Sequence, residues 1–149
     1  MSRESDFATR MLADGSLMAI LTGNVYQSGN VGYEGITRDT ASGAFDANKY
    51  LLPCALVKQR GEIPDGIIQE QIGQMASAAQ VVEIWLYQDR GYAAIDAALA
   101  RLFNLFYGYQ FADSFPVQWI NTINREKDEG ALMGSSLARQ DWIVYSIRS

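Results

Sequence analysis

The chain has 149 residues, 48% hydrophobic and 19% charged, the proportions of one folded domain spanning 1–149 with a single core. A formal net charge of −5 with no run of Lys or Arg argues against a grip on nucleic acid, which needs a basic stripe; DNA that meets the protein should slide past it. Without histidine, and with Cys54 as its one cysteine, the chain has no imidazole base for nucleophile activation, no His-containing or multi-cysteine metal site and no internal disulfide, and no cofactor is expected. From the N-terminus, Ser5 or Asp6 is placed to cap a first short helix carrying Phe7, Met11 and Leu12, which Asp14-Gly15 interrupts. Ser16 to Leu21 reads as a second helical turn or two, closed by Gly23, and Val25-Tyr26 begins an extended segment. The apolar run Leu17 to Leu21 is too short for a signal-peptide core or a membrane span, so no membrane partner is expected and the protein should stay in the cytoplasm.

From Gln27 to Ala47 the chain is rich in Gly, Ser, Asp and Asn and reads as a long loop, continuing to Asn48. Loops of this length are uncommon in compact domains and are usually functional or ordered by a partner. Tyr33, Ile36 and Phe45 would give such a partner apolar side chains to hold. Leu51 to Arg60 suits a strand beginning at Pro53, in which Cys54 is a buried, inert thiol. Gly61 to Gly66, with Pro64 and Asp65-Gly66, is a turn signal, and Ile67 to Ala79 fits a helix or an extended hairpin arm. The extended reading is preferred, because pairing residues near 55–60 with residues near 75–87 forms a hairpin at the centre of a sheet. Residues 61–73, GEIPDGIIQEQIG, are then expected to project towards a partner: Ile67, Ile68 and Ile72 follow a turn that should be exposed. The alternative is that these isoleucines fold back into the domain's own core.

Val81 to Tyr87 alternates, with Glu83 on the face of Val81, Trp85 and Tyr87 and opposite Val82, Ile84 and Leu86. Asp89 is a credible N-cap for a helix beginning at Arg90 or Gly91 and stopped by Gly108. Tyr92, Ile95, Leu99, Leu102, Phe103 and Phe106 form its apolar stripe, with Asp96, Arg101 and Asn104 towards the other side. Val117 to Ile123 and Gln140 to Ile147 read as further strands, and the mixed charges of Asn124 to Gly134 as a solvated turn between them. The expected fold is α+β: a largely antiparallel four-stranded sheet covered by one main helix and short N-terminal helices.

Five stretches in this order carry a resemblance: ADGSLMAILTGNVY, LPCALV, AAQVVEIWLYQ, IDAALARLFNLFYG and QDWIVYSI. Together they resemble the tail-terminator family of long-tailed bacteriophages in order and patterning rather than in an invariant motif. The resemblance implies a non-enzymatic virion protein, assembled in the host cytoplasm. It implies a six-fold homo-oligomeric ring at the head-proximal end of the tail tube, with the tail tube protein and the head connector or stopper as partners and DNA only passing through the lumen.

The residues themselves favour a structural role over a catalytic one. Glu83 and Asp89, the nearest candidate acid pair, lie at strand and helix-cap positions where carboxylates have ordinary structural roles. Arg90 reads either as a surface residue or as the partner of an acid on a neighbouring subunit. Trp85, Trp119 and Trp142 each fall in an expected strand, two suited to the core and one to an interface. Two other functions are open. A head-completion or connector adaptor of the phage neck would be dominated by helices, and a small α+β ligand-binding protein or enzyme would need a phosphate loop or polar constellation that the sequence lacks.

Overall fold

The computed structural model describes residues 3–64, 76–128, 132 and 134–148. Helices α1 (Arg3–Leu12) and α2 (Gly15–Ile20) lead into strand β1 (Val25–Gln27) and a short helix α3 (Ser28–Val31). Strands β2 (Cys54–Pro64) and β3 (Ala76–Gln88), helix α4 (Ala93–Phe106) and strands β4 (Gln118–Lys127) and β5 (Ser136–Arg148) follow. Among the described residues the strands form one five-stranded sheet in the order β1-β2-β3-β5-β4.

The expected four antiparallel strands are therefore corrected to five in a mixed sheet, because β1 pairs parallel to β2, Val25 opposite Ala55 and Gln27 opposite Val57. Three residues are too short to show an alternating pattern, which is why sequence reading took them no further than an extended segment. The parallel pairing also accounts for the long connection after β1. Parallel neighbours cannot be joined by a tight turn, so residues 28–53 must cross back to the start of β2. They do so with structure of their own, α3 and a 3-10 turn at Ser42–Ala44. The hairpin of β2 and β3 does form the centre, running from Cys54 opposite Tyr87 to Pro64 opposite Ala78, with a bulge between Gln59 and Gly61.

The pleat of β3 sends alternate side chains into two separate cores. Val82, Ile84 and Leu86 are fully buried against Phe7, Met11, Leu17, Ile95, Leu102 and Phe106 of the helices. Phe7 stacks on Phe106 with ring centroids 4.4 Å apart, fixing α1 against α4. On the opposite face Tyr87, Leu137, Leu56 and Cys54 pack under Val31, Ile36, Ala41, Ala44 and Leu51 of the crossover.

Several expected boundaries move. Helix α1 starts at Arg3, so Ser5 and Asp6 lie inside it rather than capping it, and Leu12 is exposed. Asp14 caps α2, accepting from the Leu17 N–H at 2.9 Å. Asp89 does not cap α4. The turn through Gly91, at φ +72, pushes the helix start to Ala93, and Gln88 Oε1 accepts from the N–H groups of Ala94 and Ile95 instead. Gly61 to Pro64, read as turn, continue β2, and the charged run read as a loop continues β4 to Lys127, with Arg125 at φ +57 in a register irregularity.

Candidate assembly interface

Charged side chains fix the N-terminal helix and close off the apparent acid pair. Arg3, at the start of α1, is 2% exposed and donates from Nε to Gln80 Oε1, from Nη1 to Asp6 and Asp113, and from Nη2 to Ser146 Oγ at 2.7–3.0 Å. Its hydrogen bond holds the Asp113 carboxyl below the usual carboxylate range, while burial raises that of Asp6 against the opposing pull of Arg3. Glu4, beside it, accepts from Ser28 Oγ and Gly29 N, both at 2.7 Å, and from Gln59 N at 3.1 Å, tying α1 to α3 and β2. Glu83 is buried, 3.3 Å from Arg60 Nε, and accepts from Trp85 Nε1. Roughly 17 Å of strand separates it from the end of β3, so it does not share a site with Asp89. Cys54 is fully buried and free, its thiol pushed up to about 12 by desolvation. No group of three His, Cys, Asp or Glu side chains among the described residues is placed to hold a metal. No helix among them is long and apolar enough to cross a membrane.

The side chains singled out for a partner are distributed unevenly. Tyr33 stands fully in solvent. Ile36 is buried at 3% exposure and Phe45 is half-buried, so these two find apolar neighbours in the chain's own second core. Ile67, Ile68 and Ile72 lie outside the described residues, as does most of the 61–73 segment. Arg90 is exposed and approaches its own Asp89 at 3.9 Å.

Arg90 and Phe45 are brought together at an open cleft of about 920 Å³ at the Tyr87 end of the sheet. It lies between the 37–51 stretch of the crossover, the turn after β3 and the end of β4. Arg38, Lys49, Arg90 and Lys127 line it against two carboxylates, Asp39 and Asp89, with Tyr50 as an exposed aromatic wall. Arg38 lies over the Phe45 ring at 5.6 Å and donates to the Lys49 carbonyl.

A second surface escaped sequence reading. Strand β4 is the long outer edge of the sheet, exposed or half-exposed along its whole length, and two register irregularities interrupt its pairing with β5. Beside it Tyr107 stacks on Phe103, centroids 4.9 Å apart, and Phe103 meets the Trp119 ring edge-on at 6.0 Å. All three rings are exposed, by 62%, 37% and 45%, and so is Ile120. Phe103 thus sits at the rim of the helix stripe rather than in it. Of the tryptophans, Trp142 is fully buried, Trp85 half-buried and Trp119 exposed. One signal was available: in a regular strand the adjacent Trp119 and Ile120 would point to opposite faces, and a helix on one face would not bury both.

No protein-family model matches the chain, and no curated protein matches it. Among solved structures it is similar to a chain in the virion of a native gene transfer agent particle, with a TM-score of 0.56 and 16% identity. The likeness covers 98% of this chain and 93% of that one, and at such identity it is a likeness of fold.

Proposed function

We propose that this chain is a structural virion protein of a phage-type particle. In this reading it assembles into a homo-oligomeric ring, six-fold by the family resemblance, at the head-proximal end of a tail tube, terminating the tube and joining it to the head connector. The observation that carries self-assembly is the open β4 edge flanked by Phe103, Tyr107 and Trp119. A ten-residue edge presents unpaired backbone groups, and exposed clustered aromatics are the residue types on which interfaces depend. The fold likeness to a virion chain along nearly the whole length supports the same reading. A cyclic ring sets the β4 surface of one copy against a different surface of the next. The polar groups with defined partners are engaged in holding elements together, which fits a structural rather than a catalytic role.

The test is the mass of the purified protein by sedimentation, alone and mixed with isolated tail tubes, for the native chain and for Ile120→Lys and Tyr107→Ser. Both substitutions are on exposed side chains and should leave the melting temperature nearly unchanged while weakening assembly. A native protein that stays monomeric in both conditions refutes the ring. Co-sedimentation with connector but never with tube would instead assign the chain to the adaptor role in the neck.

A further inference from the structure

The cleft at the Tyr87 end of the sheet has a charge opposite to that of the whole molecule. The chain carries −5, yet four cations line the cleft against two carboxylates. Lys49 and Lys127 are exposed and form no ion pair among the described residues, and Arg90 is only 3.9 Å from its own neighbour Asp89. Phe45, Tyr50 and Leu51 supply apolar wall, and Ser135 beneath them is buried with a hydroxyl that has no partner among the described residues. Such a site fits a short segment that is both acidic and apolar.

The sequence contains such a segment. Residues 61–75, GEIPDGIIQEQIGQM, hold Glu62, Asp65 and Glu70 without a single Lys or Arg, interleaved with Ile67, Ile68 and Ile72. The segment is joined to the opposite end of the sheet, where Pro64 pairs with Ala78, whereas the cleft is at the end where Cys54 pairs with Tyr87. Strand β2 separates the two by about 33 Å, and a connection over 65–75 that must go out and return reaches no more than about 18 Å. A chain therefore cannot fill its own cleft. The geometry points to a heterologous contact in which the acidic 65–75 segment of one copy occupies the basic, aromatic-walled cleft of a second copy. This deepens the assembly reading by naming a receptor and its ligand. It rests on contact between copies and not on where in a virion they meet.

Charge exchange tests it. A cleft variant, Lys49→Glu with Arg90→Glu, and a segment variant, Asp65→Lys with Glu70→Lys, each set like charges against each other when self-associating. Mixed, they present opposite charges at both junctions. Sedimentation of each variant alone should show association weakened by about tenfold or more, and the equimolar mixture should regain it. In parallel, a fluorescent peptide of residues 61–75 should bind the native full-length protein more weakly at high salt and at least about tenfold more weakly to the cleft variant. Single variants that associate as the native chain does, a mixture that regains nothing, or a peptide that binds native and cleft variant equally or not at all would each overturn the inference. The two readings fail separately. Native protein that joins tubes with both variants unaffected removes the cleft contact and leaves the ring. A peptide that binds the cleft of a protein that never joins tubes does the reverse.

Discussion

At the scale of single residues, burial separates side chains that look equivalent in the sequence. Tyr33 and Ile36 both read as handles for a partner, but one is in solvent and the other in the second core. Ile36→Ala should cost about 2–5 kcal/mol in chemical denaturation, whereas Tyr33→Ser should stay within about 0.5 kcal/mol of the native chain. Cys54 was legible from its apolar flanks, and its burial and raised thiol make a sharp expectation: no alkylation by iodoacetamide in the native state near pH 8, and prompt alkylation in denaturant. Asp14 was read only as an interruption, since nothing local reveals that Arg101 reaches it across the fold with Nε at 2.8 Å and Nη2 at 2.6 Å. The hydrogen bond from Arg101, with help from the Leu17 N–H, lowers the Asp14 carboxyl. A carboxyl depressed in the folded state stabilises it above the unfolded value near pH 4, and that contribution is lost as pH falls through the lower folded value. Asp14→Asn, which keeps a cap acceptor, should therefore be less stable than the native chain at pH 7 and converge with it in strong acid. Asp14→Ala should lose about 1 kcal/mol more at neutral pH, because the cap goes too.

At the scale of elements, the long alternating or periodic stretches were legible and their ends were not. The faces of β3 and the buried part of the α4 stripe follow from side-chain period, which the chain cannot violate without exposing the core. Termini depend on which nearby oxygen reaches the free N–H groups, and two polar residues in succession, Gln88 and Asp89, offered one. Gln88 won because the left-handed turn at Gly91 inserts residues between Asp89 and the helix. Gln88→Ala should thus destabilise the protein by about 1 kcal/mol and Asp89→Ala by much less, a contrast that thermal melts of the two variants will check. The β4 surface was hidden for a related reason. Its charged second half reads as a turn, and only the register with β5 shows a continuous edge.

At the scale of the whole molecule, sequence reading reached the α+β class, the central hairpin and the helix-covered face, but placed the crossover outside the core. Strand β1 carries too few residues to declare itself, and its parallel pairing with β2 is a long-range fact. Both cores share β3, so neither face of the central strand can be exposed without loosening the other. Urea unfolding followed by tryptophan fluorescence and by far-ultraviolet circular dichroism should accordingly give coincident transitions. Ile36→Ala should shift that one transition to lower urea rather than split off a second.

The two margins of the sheet differ: β4 offers ten residues in succession, whereas on the other side the three residues of β1, followed at once by α3, cover β2 only from Ala55 to Val57 and leave 58–64 without a strand neighbour there among the described residues. Strand addition at β4 closes the longer margin and leaves the other as it was. Two copies that met β4 to β4 would satisfy each other along that edge and withdraw it from a third. Such a contact saturates after one partner, so the β4 edge by itself does not propagate into a fibril.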